Sequence, residues 1–186
     1  MRSFFAFEIS DAVKNELELL LKSIKRLPLP IRWIDIENIH ITLLFIEDID
    51  QNIVETLKPK IEPICLKTKS FKLVVENGGF FGTKTYPKIL WAGISGLPED
   101  VAVLKNAVEK QFEPFGITQE EKLFKPHLTL GRFKNRSDEK TVIKCLVELQ
   151  KFKSSTFNVN ELMFFKSDLT PNGSIYTKIS TFKLSE

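Results

Sequence analysis

The chain has 186 residues, of which 42% are hydrophobic and 27% charged, the composition of a globular protein with room for one sizeable core or two fused lobes. No run of about 18 apolar residues offers a membrane span, and Phe4-Phe5-Ala6-Phe7 before Glu8 is too short for a secretory leader, so a cytoplasmic protein is expected. The formal net charge of +3 is only mildly basic, which suits a small phosphorylated substrate or a nucleic-acid end and argues against tracking along a duplex.

Phe4–Ile9 reads as a strand, and Ser10 or Asp11 can cap a helix carried by Val13, Leu17, Leu20, Leu21 and Ile24. Pro28-Leu29-Pro30 breaks it, Ile31–Ile34 is a short extended piece, and Ile39–Ile46 a buried strand. Asp50 can cap a second helix through Ile53, Val54, Leu57 and Ile61, which Pro59 and Pro63 should kink or shorten. Phe71–Val75 alternates as a strand, and Asn77-Gly78-Gly79 is expected to turn the chain. Ile89–Ile94 is a strand, and Pro98 opens a helix through Val101, Leu104, Val108 and Phe112 that should end near Pro114 and Gly116. His127–Phe133 is another strand. Ser137 precedes a last helix containing Val142, Ile143, Leu146, Val147 and Leu149. Phe157–Phe165 and Ile175–Phe182 close the chain as strands joined by a Pro171-Asn172-Gly173 turn. This mixed order predicts an α+β fold with largely antiparallel sheet, a single domain over residues 1–186.

Two cysteines, Cys65 and Cys145, sit in the helical patterns with apolar neighbours and read as reduced and buried. The two histidines are more telling. They are the whole complement of the chain, and both stand in one frame: His40-Ile41-Thr42-Leu43 and His127-Leu128-Thr129-Leu130. From average composition a given His is followed by x-Thr-Leu less than about one time in a hundred, so chance is a poor explanation for both. Residues two apart in a strand share a face. His40 therefore projects with Thr42, and His127 with Thr129. Two such strands side by side would surround a phosphate-sized space with two imidazoles, one neutral as base and one charged as acid, and two hydroxyl donors. The repeat at 87 residues, each copy followed by a helix, implies two lobes related by pseudo-twofold symmetry with both motifs in a central cleft. Two histidines without clustered cysteines or acids do not make a metal site, and no cofactor is expected.

Further substrate contacts are less sharply marked. Lys125 shares the parity of His127 if the strand is regular through Pro126, whereas Arg132 has the opposite parity and reaches the cleft only if Gly131 introduces a bulge. Phe5, Phe7, Trp33 and Tyr176 are candidates to stack on a base, although core packing is the ordinary use of any one phenylalanine among 16.

The duplicated frame resembles the two-histidine phosphoesterase superfamily, and more narrowly the RNA 2′,3′-cyclic phosphodiesterases, formerly named 2′–5′ RNA ligases. The similarity runs nearly end to end. It takes in Met1-Arg2-Ser3-Phe4-Phe5-Ala6, Arg32-Trp33, Glu37 to Leu43, Pro87 to Gly93, Phe124 to Arg132, Lys166-Ser167-Asp168-Leu169 and Gly173-Ser174-Ile175-Tyr176. Where that family commonly has Lys-Phe-Leu-Gly after the first motif, this chain has Leu44-Phe45-Ile46-Glu47, so a basic residue is missing there. The resemblance implies metal-independent hydrolysis of an RNA-terminal 2′,3′-cyclic phosphate to a 2′-phosphate. It further implies His40 as proton donor, His127 as proton acceptor, and Thr42 and Thr129 on the phosphate oxygens. The motifs themselves are alike and leave the two roles open. RNA 3′ ends or small cyclic nucleotides are the expected partners of a monomer. A cyclic phosphodiesterase acting on a small nucleotide such as ADP-ribose cyclic phosphate is one alternative. A non-catalytic RNA-end binder is the other, although phosphate binding alone would be better served by Lys or Arg.

Overall fold

Ser10 begins the first helix because its hydroxyl accepts from the Val13 amide, one of the donors that a helix start leaves without a partner. The computed structural model describes residues 1–46, 49–117, 124–171 and 173–186. Its helices are α1 (Asp11–Ile24), α2 (Gln51–Cys65), α3 (Asp100–Lys110) and α4 (Glu139–Lys151). Asp50 caps α2 through the Asn52 amide and Asp138 caps α4 through the Thr141 amide. The strands are β1 (Ser3–Glu8), β2 (Ile31–Trp33), β3 (His40–Ile46), β4 (Phe71–Gly82), β5 (Pro87–Ser95), β6 (His127–Phe133), β7 (Phe157–Val159), β8 (Glu161–Thr170) and β9 (Gly173–Lys183).

The strands pair antiparallel in the order β7-β4-β5-β6-β3-β1-β8-β9, with β2 added to β6. The predicted α+β class with antiparallel sheet is what is found. The order also contains a repeat. The unit β1-α1-β3-α2 builds one half and β5-α3-β6-α4 the other, each with a motif strand as its second strand. Later strands cross over: β4, after the first unit, pairs with β5 of the second half, and β8, after the second unit and the short β7, pairs with β1 of the first. The halves meet where β3 and β6 pair at Ile41 and Leu128, both fully buried. The helices pack against the sheet and one another, α4 on β4, α2 on β9, α1 on α4 and α2 on α3.

Four local expectations change. Asn77-Gly78-Gly79 does not turn the chain, because β4 runs straight through it. Asn77 adopts φ 60° at a register shift between Val75 and Gly78, and a Cβ at Gly78 would lie 2.6 Å from the Trp91 carbonyl oxygen. These glycines serve a bulge and a close backbone approach, and the reversal comes later, where the backbones of Thr83 and Tyr86 bond each other. Pro59 and Pro63 do not shorten α2. Both are exposed and four apart, so the carbonyls they leave without a donor face water. Phe157–Phe165 is two strands, divided at Asn160 where the chain leaves β4 and joins β1. In α4 the buried stripe is Val142, Cys145 and Leu149, while Ile143 and Val147 are 39% and 47% exposed on its other side. Of the expected final turn, Asn172 lies outside the described residues, as does Glu47 after the first motif.

Cys65 and Cys145 are buried and unpaired, and burial pushes both thiols up to about 12. No helix among the described residues is long and apolar enough to cross a membrane.

Candidate active site

Continuing the register of the Ile41–Leu128 pair sets His40 across from Thr129 and Thr42 across from His127. Each histidine thus faces the threonine of the other motif. Ile41 and Leu128 take the opposite face and bury completely, which ties the parity of the polar residues to the core. His40 Nδ1 donates to the carbonyl of Asn38 at 2.7 Å, and His127 Nδ1 donates to the carbonyl of Lys125 at 2.7 Å. A carbonyl only accepts, so Nδ1 carries hydrogen in both rings and Nε2 is left for chemistry.

Each motif strand then bulges at its fourth residue. Phe5 pairs with Leu44 and Ala6 with Thr42, leaving Leu43 extra. Leu90 pairs with Gly131 and Trp91 with Thr129, leaving Leu130 extra. A single extra residue reverses the alternation beyond it. Phe45 and Arg132 therefore join the face of the His-Thr pairs, and both line a cavity of about 780 Å³ together with His40, Thr42 and Thr129.

The 2′-5′ RNA ligase superfamily model matches residues 36–171, which includes both motifs. The chain belongs to this superfamily. An RNA 2′,3′-cyclic phosphodiesterase of Methanothermobacter thermautotrophicus is 24% identical over 99% of both chains. One of Archaeoglobus fulgidus is 28% identical over 98% of this chain and all of its own. Crystalline E. coli LigT complexed with 3′-AMP shares the fold with a TM-score of 0.75 at 19% identity, covering 100% of this chain and 98% of that one.

In this superfamily member the two imidazoles have different surroundings. The His40 ring stacks on Phe4 at 4.6 Å between centroids and meets the edge of Tyr176 at 5.3 Å. The His127 ring meets Phe81 at 5.1 Å and Trp91 at 6.4 Å, both edge-on. Burial pushes the His40 imidazole below its ordinary value. The Asn38 carbonyl opposes this, and the proximity of His127 adds to the lowering. Among the described residues no three His, Cys, Asp or Glu side chains come together as a metal site.

The secondary candidates separate. Arg132 lines the cavity because the bulge it required is present, one residue earlier than Gly131. Tyr176 also lines it, with its ring edge-on to Phe4 at 4.9 Å, and Trp33 does too. Lys125 is exposed and absent from the lining, and its contribution is the carbonyl that holds His127. His127 is not on the lining either, although it shares the face of Thr129. Phe5 and Phe7 are fully buried core. Sequence reasoning missed Phe4, Arg2, Lys25 and Arg32, which all line the cavity. For Phe4 a signal existed: alternation along β1 sends Phe4 and Ala6 to the face opposite Phe5 and Phe7, into a small cluster with Met163 and Phe165.

Proposed function

We propose that the protein hydrolyses a 2′,3′-cyclic phosphate at an RNA 3′ end to a 2′-phosphate, using His40 and His127 as an acid–base pair without a metal. The observation that carries this reading is the reciprocal seam, with each imidazole offering Nε2 across from the threonine of the other motif. His127 as the neutral base takes a proton from the attacking water. His40 as imidazolium protonates the ribose 3′ oxygen as its bond to phosphorus breaks. Thr42, Thr129 and Arg132 hold the non-bridging oxygens, where negative charge grows in the transition state. The names of the curated relatives support the substrate class. The protein acts as a cytoplasmic monomer in this reading.

His40→Ala and His127→Ala test the pair. Each should lower kcat by at least about a hundredfold, the lower range for a positioned acid or base, with the far-ultraviolet circular dichroism unchanged. A folded variant within a few fold of the parent would remove that imidazole from the mechanism.

A further inference from the structure

Arg32 and Arg132 are directly paired residues of β2 and β6. Directly paired residues point to the same side of a sheet, and like charges set opposite each other there are destabilising. Both line the cavity, and neither forms an ion pair among the described residues. Lys25, at the end of α1, joins them on the lining. Its ammonium stands 5.7 Å from the centre of the Trp33 ring and has no carboxylate partner among the described residues. Asp35 is the acidic residue of the lining, and its side chain accepts from the Glu37 amide. One wall of the cavity thus holds three cations against one carboxylate.

A cyclic phosphate diester carries a single negative charge, already met in the reaction by an imidazolium and Arg132. Arg32 and Lys25 exceed what that one anion needs. We infer that Arg32 and Lys25 form a second phosphate subsite, which takes the phosphodiester next to the terminal nucleotide. The substrate class is then an oligonucleotide of at least two residues, and a free cyclic mononucleotide leaves the subsite empty. The second phosphate relieves the repulsion between Arg32 and Arg132, so its binding helps to organise the guanidinium beside the reacting phosphorus. This inference rests on the proposed function.

The test compares two dinucleotides ending in a 2′,3′-cyclic phosphate, both 2′-O-methylated on the upstream ribose. One has an ordinary phosphodiester and the other a neutral methylphosphonate at the internal linkage. The ratio of their kcat/KM values is read in the parent protein and in Arg32→Met and Lys25→Met, so that a change in active fraction cancels. The parent should favour the charged linkage by about tenfold or more, the worth of one charge-assisted hydrogen bond, and each variant should bring the ratio towards one. A parental ratio near one, or a ratio that both variants leave unchanged, would overturn the subsite while the hydrolytic reading stands. If neither dinucleotide is opened by the parent, the hydrolytic reading fails and the subsite fails with it.

Discussion

In each imidazole the nitrogen available for chemistry is selected by a backbone carbonyl two residues upstream, Asn38 for one ring and Lys125 for the other. The same carbonyl supports the imidazolium when it forms, so the arrangement serves an acid as well as a base. His40 and His127 were legible because they repeat a rare frame. Their carbonyl partners were not, because any residue type supplies a carbonyl and only the backbone path decides which one is near. The threonines are expected to act through oxygen. Thr42→Val and Thr129→Val keep the branched shape and delete the donor, so each should lower kcat/KM by about tenfold to a hundredfold, the loss of a hydrogen bond to a charged group. Unchanged kinetics in the double variant would make the frame a packing pattern. The lowered His40 pKa gives a pH test with a definite sign. An acid works only while protonated, so in His127→Ala the residual kcat/KM should be lost as pH rises through the His40 pKa, below the ordinary imidazole value of about 6.5, whereas the limbs of the parent's bell belong to the coupled pair. The limb of kcat should lie at higher pH, because the bound phosphate's negative charge favours the imidazolium. If the residual activity of His127→Ala instead rises with pH, His40 is the base and the two roles exchange.

Between elements, what matters is where alternation fails. The bulges at Leu43 and Leu130 bring Phe45 and Arg132 onto the motif face, and a strict period of two sends both away from it. Helices were readable in detail because caps and apolar spacing are local. Strand breaks were less so, since Asn77-Gly78-Gly79 is compatible with either a turn or a bulge until the neighbouring β5 is in place. Gly131, next to the second bulge, marks how tightly β2 lies on β6. A Cβ there would collide with Ile31 Cγ2 and stand 3.1 Å from the Arg32 carbonyl oxygen. Gly131→Ala should therefore destabilise the fold by about 1–3 kcal/mol, the usual cost of overpacking. Urea unfolding measures this as a lower midpoint with the same slope, and an unchanged midpoint would show that β2 yields freely.

At the scale of the whole molecule, the two units meet at one strand pair, and each carries one His-Thr pair on the motif face of that seam. Chemistry at the seam therefore depends on how the halves are held, through buried Ile41 and Leu128 and through the exchange of β4 and β8 between them. The duplication was visible in the repeated frame and the helix after each copy. The exchange was not, because pairing partners distant in sequence leave no local mark. Net charge also concealed something: +3 overall says little, while Arg2, Lys25, Arg32 and Arg132 gather on one cavity. The central claim is that this cavity opens a cyclic phosphate by acid–base chemistry that expels the 3′ oxygen. It is tested by incubating the protein with an RNA ending in a 2′,3′-cyclic phosphate, in the presence of EDTA, and locating the product phosphate by 31P NMR. A 2′-phosphate formed at an undiminished rate is the predicted result; a 3′-phosphate, or turnover that requires a divalent ion, would contradict the account.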